Sequence, residues 1–264
     1  MIGKERLITA AWALPLLAAA LVYLPPAGIA GLVALAAATG QWELYRFHFK
    51  GRLPAFAWAG CAVGALVVLG GLSGPNPLLP MAAGTAVILV LRMGAERPME
   101  SALAEAAVVV LGVAYVALLL SHVVLLAGAE EGVRWLFFLL LVTWANDAAA
   151  YYIGSRHGRT SLTAVSPNKT VEGTLGGIAC SVAAAYLGLL FVPGLDGWDP
   201  LCIGLLLGAL ALLGDLAESL FKRGAGVKDA STLIPGHGGL MDKLDAFLFT
   251  APGLYYYLSL VVWR

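Results

Sequence analysis

Charge is what this 264-residue chain has least of: 12% of its residues are Asp, Glu, Lys or Arg, and 60% are hydrophobic. A water-soluble domain carries about a quarter charged residues, so lipid is the expected solvent for most of the chain. Cysteine is scarce as well. Cys61, Cys180 and Cys202 each lie inside an apolar run without metal-ligand spacing, which leaves them as small hydrophobes and implies no disulfide framework. Alternation of apolar and polar residues with period two is missing, which argues against a transmembrane barrel. An internal repeat is missing too, which weakens an inverted-repeat transporter plan.

What is present is a series of long apolar runs. A helix needs about 20 predominantly apolar residues to cross a bilayer core, and nine runs qualify: 7 to 24, 27 to 45, 53 to 72, 77 to 92, 101 to 126, 132 to 153, 171 to 192, 199 to 221 and 244 to 262. The expected fold is an all-α polytopic integral membrane protein of about nine transmembrane helices. With the N-terminus cytoplasmic, every Lys and Arg except Arg134 and Arg264 falls inside, 14 of 16. Positive residues concentrate in cytoplasmic loops, and one helix more or fewer would scramble the alternation. Lys4 and Arg6 before the first run resemble a signal peptide, but the run is longer than the usual 7 to 15 residues and is expected to stay as a first helix.

Polar residues are unevenly spread. Residues 1–126 read as a transmembrane scaffold, with Glu43, Glu105 and the basic link Arg46 to Arg52 as exceptions. Residues 127–264 read as the catalytic region. They hold two cytoplasmic loops, 154–170 and 222–243, and acids within or beside apolar runs: Asp147, Glu172, Asp215 and Glu218. An ionisable side chain inside a membrane segment is costly and marks a functional candidate. Asp215, Glu218, Ser219 and Lys222 follow i, i+3, i+4, i+7 spacing and share one helix face. Asp242 and Asp245 repeat i, i+3 spacing at the start of the last run, where a helix dipole also favours acids.

Between the last two runs lies SLFKRGAGVKDASTLIPGHGGLMDKLD, residues 219 to 245. Four cations (Lys222, Arg223, Lys228, Lys243), three carboxylates (Asp229, Asp242, Asp245) and a Gly236-His237-Gly238-Gly239 turn suit a polyphosphate with a divalent metal. A transporter would instead gather its polar residues near the bilayer midplane; here they collect at one membrane face.

This stretch resembles the signature of the phosphatidate cytidylyltransferases, also called CDP-diglyceride synthetases. The residues at the signature's spacings are Ser219, Lys222-Arg223, Lys228-Asp229, Ser231, Pro235, His237-Gly238-Gly239, Asp242 and Asp245. Asp147 through Tyr151, and Ser166 to Thr170 with Glu172-Gly173, are similar to shorter family blocks. Lys243 stands where the signature has arginine, Asn168 where a second basic residue is common, and Val171 where tryptophan is usual. The resemblance implies transfer of the cytidylyl group of CTP to phosphatidic acid, releasing pyrophosphate, by a homodimer in the inner (cytoplasmic) membrane with its active site facing the cytoplasm. No nucleic-acid partner is expected. On that reading Asp215 and Asp242 are the Mg²⁺ ligands, supported by Asp245 or Asp147, with room for a second metal ion. Lys222, Arg223 and Lys228 are expected to hold phosphates, and Ser166, Lys169, Ser219, His237, Gly238, Gly239 and Lys243 to bind substrate. The alternatives are a CTP-dependent lipid-alcohol kinase, which needs a base near the hydroxyl, and a membrane transporter.

Overall fold

The fold is taken from a computed structural model that describes residues 4–74, 76–234 and 238–263, with side chains from residue 11 onward. The helices are α1 (Lys4–Tyr23), α2 (Pro26–Phe49), α3 (Ala55–Gly70), α4 (Leu78–Met93), α5 (Ala102–Gly112), α6 (Leu119–Ala127), α7 (Gly132–His157), α8 (Val171–Gly188), α9 (Asp199–Gly224) and α10 (Met241–Tyr257). A π-helical turn, Val113–Leu118, fuses α5 and α6, and another, Leu258–Val262, prolongs α10. Nine helical rods result among the described residues, one for each predicted run. The only extended pairings there are isolated bridges, Ser161 with Thr170 and Ile234 with Gly238.

Six of the rods are long and apolar enough to cross a membrane: those at Ala55–Ser73, Met99–Ala127, Gly132–His157, Val171–Gly188, Asp199–Gly224 and Met241–Val262. The chain is a multi-pass membrane protein. Two of the other rods depart from the sequence expectation for physical reasons. Helix α4 has 16 residues, about 24 Å at 1.5 Å per residue, short of a core of roughly 30 Å. Helix α2 has length to spare, but Gln41, Glu43 and Arg46 lower the hydropathy of its last third.

The chain divides into two compact units, residues 1–128 with 224–244 and residues 129–223 with 245–264. In the first unit, α2 begins at Pro26, where a fixed φ suits the first helical position. It ends at Lys50, which takes a left-handed conformation (φ 42°) and donates its N–H to the Arg46 carbonyl. The basic link therefore starts at a sharp turn rather than a frayed end. Tyr45, Phe56 and Val109 centre the core. The Tyr45 hydroxyl donates to the Val109 carbonyl at 2.8 Å and accepts from Gln41 Nε2 at 2.8 Å, and the same Nε2 donates to the Gly60 carbonyl at 3.0 Å. This satisfies the Tyr45 hydroxyl and the Gln41 amide nitrogen, while Gln41 Oε1 is buried without a hydrogen-bond partner. Glu105, itself buried, draws Arg92 and Arg97 to it at 2.7 Å each and fastens the end of α4 to α5.

In the second unit, α7 packs along α8, with Asn146 accepting a hydrogen bond from Ser181 at 3.2 Å. Gly204 and Gly208 bring α9 against Val182 and Ile178 of α8, the close approach that small residues four apart allow between membrane helices. Thr143 donates to Thr250 at 3.3 Å, and Tyr257 donates to Asp199 at 2.6 Å.

Candidate active site

The predicted site residues fall in both units, and each group is built by its own elements. In the second unit the segment between α7 and α8 is held as a small hairpin. Leu162 N–H donates to the Lys169 carbonyl at 2.8 Å, Val171 N–H to Thr160 at 3.0 Å, and Lys169 N–H to the Ser166 carbonyl at 3.0 Å. Glu172 accepts from the N–H groups of Arg159 and Thr160 at 3.1 and 3.2 Å, and Thr170 caps α8 by accepting from Gly173 N–H at 3.1 Å. A carboxylate at a helix start both meets the dipole and ties down the preceding chain. The consequence is that Lys169 is carried on a closed loop and reaches Asp215 of α9, Nζ to Oδ2 at 2.5 Å.

The face of α9 predicted from spacing is formed. Ser219 Oγ donates to Asp215 Oδ1 at 3.3 Å, and Lys222 Nζ pairs with Glu218 Oε2 at 2.7 Å, with Glu218 1% exposed. Gly214 lies so close to the Asp245 carbonyl that a Cβ there would collide with it, which brings α9 and α10 together one residue from Asp215. The Asp245 carboxylate lies within electrostatic range of Asp215, Asp147 and Lys222. Asp147, on the exposed side of α7, accepts from Asn146 Nδ2 at 3.3 Å. Ser166 is half-buried in the hairpin, while Arg223 is exposed in the last turn of α9.

In the first unit the signature loop folds around two carboxylates. Asp242, in the first turn of α10, takes the N–H groups of Gly239 and Ala230 on Oδ2 at 2.6 and 3.1 Å. The loop is closed by Ile234 N–H donating to the Gly238 carbonyl at 2.8 Å. Gly238 has φ 86°, and a Cβ on it would meet the Asp242 carboxylate; both facts require glycine. Gly239 has no room for a side chain because the Glu43 carboxylate fills the space. Lys228 and Lys243 are exposed, and His237 lies outside the described residues.

Glu43 is the residue the sequence reading passed over. It sits on α2 with no solvent exposure and accepts from Ser231 Oγ at 2.5 Å, Leu240 N–H at 3.0 Å and Met241 N–H at 2.7 Å. The supposed scaffold therefore grips the signature loop directly. The signal was available: Glu43 is one of two carboxylates inside the apolar runs of residues 1–126, and a buried acid needs partners.

Which residues fit a metal? In the second unit Asp147, Asp215, Glu218 and Asp245 set four carboxyl groups near the ammonium groups of Lys169 and Lys222. Among the described residues no three His, Cys, Asp or Glu side chains close into a cage. Mg²⁺ does not ask for one, because it keeps waters and binds through one or two carboxylates plus substrate phosphates. The donor set is all oxygen and anionic, so these residues fit such an ion.

A profile of the cytidylyltransferase family matches residues 4–261. The chain belongs to that family. It is similar to the phosphatidate cytidylyltransferase of Synechocystis sp., 47% identical over 121 residues that cover 45% of this chain and 41% of the relative. It is 39% identical over 150 residues to that of Staphylococcus saprophyticus (56% and 57% covered), and 41% over 125 residues to that of Staphylococcus aureus (47% and 48%). The chain thus spans about half the length of the curated relatives it matches.

Proposed function

We propose that this chain transfers the cytidylyl group of CTP to phosphatidic acid, giving CDP-diacylglycerol and pyrophosphate. The observation that carries the reading is the cytidylyltransferase match over residues 4–261, supported by relatives named phosphatidate cytidylyltransferase at 39–47% identity. The site chemistry agrees. A phosphomonoester is largely ionised near neutral pH, so its oxygen attacks the α-phosphorus without a general base; the new P–O bond forms as the bond to the β-phosphate oxygen breaks, and pyrophosphate leaves. What the protein must supply is alignment of two anions and compensation of the charge growing on the leaving group.

Asp215 and Asp242 are the proposed Mg²⁺ ligands, with Asp245 or Asp147 in support; the ion, when bound, offsets triphosphate charge. Asp242 is oriented by the two loop amides that its Oδ2 accepts. Lys169, held on its hairpin at Asp215, is the proposed phosphate contact that exchanges a carboxylate for CTP. Lys222, Arg223 and Lys228 neutralise phosphate charge, joined by Ser166, Ser219, His237, the Gly238-Gly239 turn and Lys243. We further propose a homodimer in the cytoplasmic membrane, with nine crossings, N-terminus inside and CTP taken from the cytosol.

The test uses the purified chain, Mg²⁺, phosphatidic acid and CTP labelled on either the α- or the γ-phosphorus. Label from the α-position should move into a chloroform-soluble product. Transfer from the γ-position instead would make the chain a lipid kinase and refute the reading.

A further inference from the structure

The basic link singled out in the sequence has no part in the site described so far, yet the first unit gives it a cavity. Between the last two turns of α2 and residues 225–233 opens a hollow of about 630 Å³. Its walls are of two kinds. Arg46 and Lys50 bring positive charge, while Trp42, Phe47, Val227 and Leu233 are apolar. The Arg46 guanidinium lies 4.7 Å from the centre of the Trp42 ring, a cation–π contact that orients a cation without consuming its hydrogen-bond donors. Lys50 follows one turn later at the left-handed end of α2. Among the described residues neither enters an ion pair, whereas Lys169 and Lys222 are both matched to carboxylates. The one acid of α2, Glu43, is already committed to the loop.

Two unmatched cations beside exposed apolar surface describe an amphiphilic anion. Leu233 is 54% exposed and Val227 37%, surface that a purely ionic ligand such as inorganic phosphate would leave wet, and that a glycerol backbone and the first methylenes of acyl chains would cover. Arg46 supplies a planar fork that suits two phosphate oxygens, and Lys50 a point charge. The volume is several times that of a phosphate alone. We infer that this hollow is the seat of the lipid acceptor, taking the phosphomonoester of a phosphatidic-acid-type lipid on Arg46 and Lys50 and its glycerol end against Trp42 and Leu233. The inference rests on the proposed reaction for the role of that lipid; the binding itself does not depend on it.

The experiment therefore measures binding without turnover. The full chain, purified in detergent and monodisperse, is titrated with phosphatidic acid, with phosphatidylcholine and with glycerol 3-phosphate, in the absence of CTP, and bound lipid is read by native mass spectrometry. Phosphatidic acid should be retained over phosphatidylcholine, which lacks the phosphomonoester. Glycerol 3-phosphate should bind far more weakly, because it lacks the chains. Arg46→Gln with Lys50→Gln should lower phosphatidic-acid retention at least tenfold, since charge-assisted bonds to phosphate are the strong ones, and Arg46→Lys should restore part of it. Leu233→Asp, on an exposed loop position, gives a second variant that keeps the α2 helix intact and should weaken the same binding. Unchanged phosphatidic-acid binding in the Gln pair overturns the inference. So does a defect confined to CTP affinity, which would assign the hollow to the nucleotide. Were the chain to bind phosphatidic acid through Arg46 and Lys50 yet transfer no label from CTP, the reaction would fail and the lipid seat would stand.

Discussion

Replacing Glu43 removes a buried carboxylate that holds the signature loop, although in sequence it lies far from that loop. Three donors converge on its carboxylate, at 2.5, 3.0 and 2.7 Å, with the side chain wholly buried. Hydrogen bonds to a charged group contribute about 1.5–3 kcal/mol each. Glu43→Ala strands two backbone N–H groups and a hydroxyl, and water entering the void recovers part of the loss, so the expected cost is about 3–5 kcal/mol, the range for breaking one side of a buried charge network. Glu43→Gln keeps the shape and one oxygen, enough for Ser231 and Leu240, but turns an amide NH₂ toward the Met241 N–H; one lost bond and one donor–donor conflict cost roughly 1–3 kcal/mol. The effect should be local, because Leu240 and Met241 open α10 and carry Asp242.

Hydrogen exchange in detergent, read on peptides covering residues 229–244, measures that opening directly, and turnover is followed on the same samples. Each 1.4 kcal/mol is a factor of ten, so exchange in that segment should accelerate by roughly a hundredfold or more in Glu43→Ala and by roughly tenfold in Glu43→Gln, with turnover falling in the same order. Parental exchange in Glu43→Ala would refute the clamp. Acceleration spread evenly over α7, α8 and α9 would refute its local character, making Glu43 an ordinary contributor to global stability.

Four further outcomes are expected. Asp215→Asn and Asp242→Asn should each lower turnover by roughly a hundredfold at limiting Mg²⁺, since metal stabilisation is worth several kcal/mol, and a folded variant at parental rate removes that residue from the ligand set. Lys222→Met should destabilise by about 3 kcal/mol because Glu218 stays buried, whereas adding Glu218→Gln should restore thermal stability but not turnover; restored turnover would make Lys222 structural only. Lys243→Arg should keep substantial activity and Lys243→Met lose most of it, and an active Met variant would place the residue outside the phosphate site. A cysteine at Gly158 should react with an impermeant reagent only in opened cells and one at Gly197 in intact spheroplasts, the reverse pattern overturning the orientation.

The helical plan was legible because it depends on a property each segment carries alone, about 20 apolar residues. All nine runs reappear as rods, and the spacing of Asp215, Glu218, Ser219 and Lys222 placed them on one face before any contact was known. What spacing cannot show is a partner far away in the chain. Glu43 meets Ser231 across 188 positions, and no period links them. The same holds for Lys169 and Asp215: each was singled out, yet their pairing follows from the hairpin that Glu172 and Thr170 close, a feature written in backbone hydrogen bonds. Gly238 and Gly239 were readable as a turn, while their actual constraint is the carboxylates that occupy the space a side chain would need.

The two proposed metal ligands are held in opposite ways, and this decides how each must respond to substitution. Asp242 is anchored to amides that cannot leave it without unfolding the loop, so its orientation is set before any ligand arrives. Asp215 is anchored to an ammonium on a loop, and that partner can be exchanged. A cation approaching Asp215 must displace Lys169, at a cost met only if Lys169 gains an anion of its own, which a triphosphate brings with it. Metal and nucleotide should consequently bind together more tightly than either alone, since each supplies the partner the other displaces. Lys169→Met removes the competition: Mg²⁺ affinity measured without CTP should rise, while the dependence of that affinity on CTP should shrink. If instead Lys169→Met leaves both unchanged, the ion pair is no more than a surface contact, worth under about 1 kcal/mol, and the exchange does not take place.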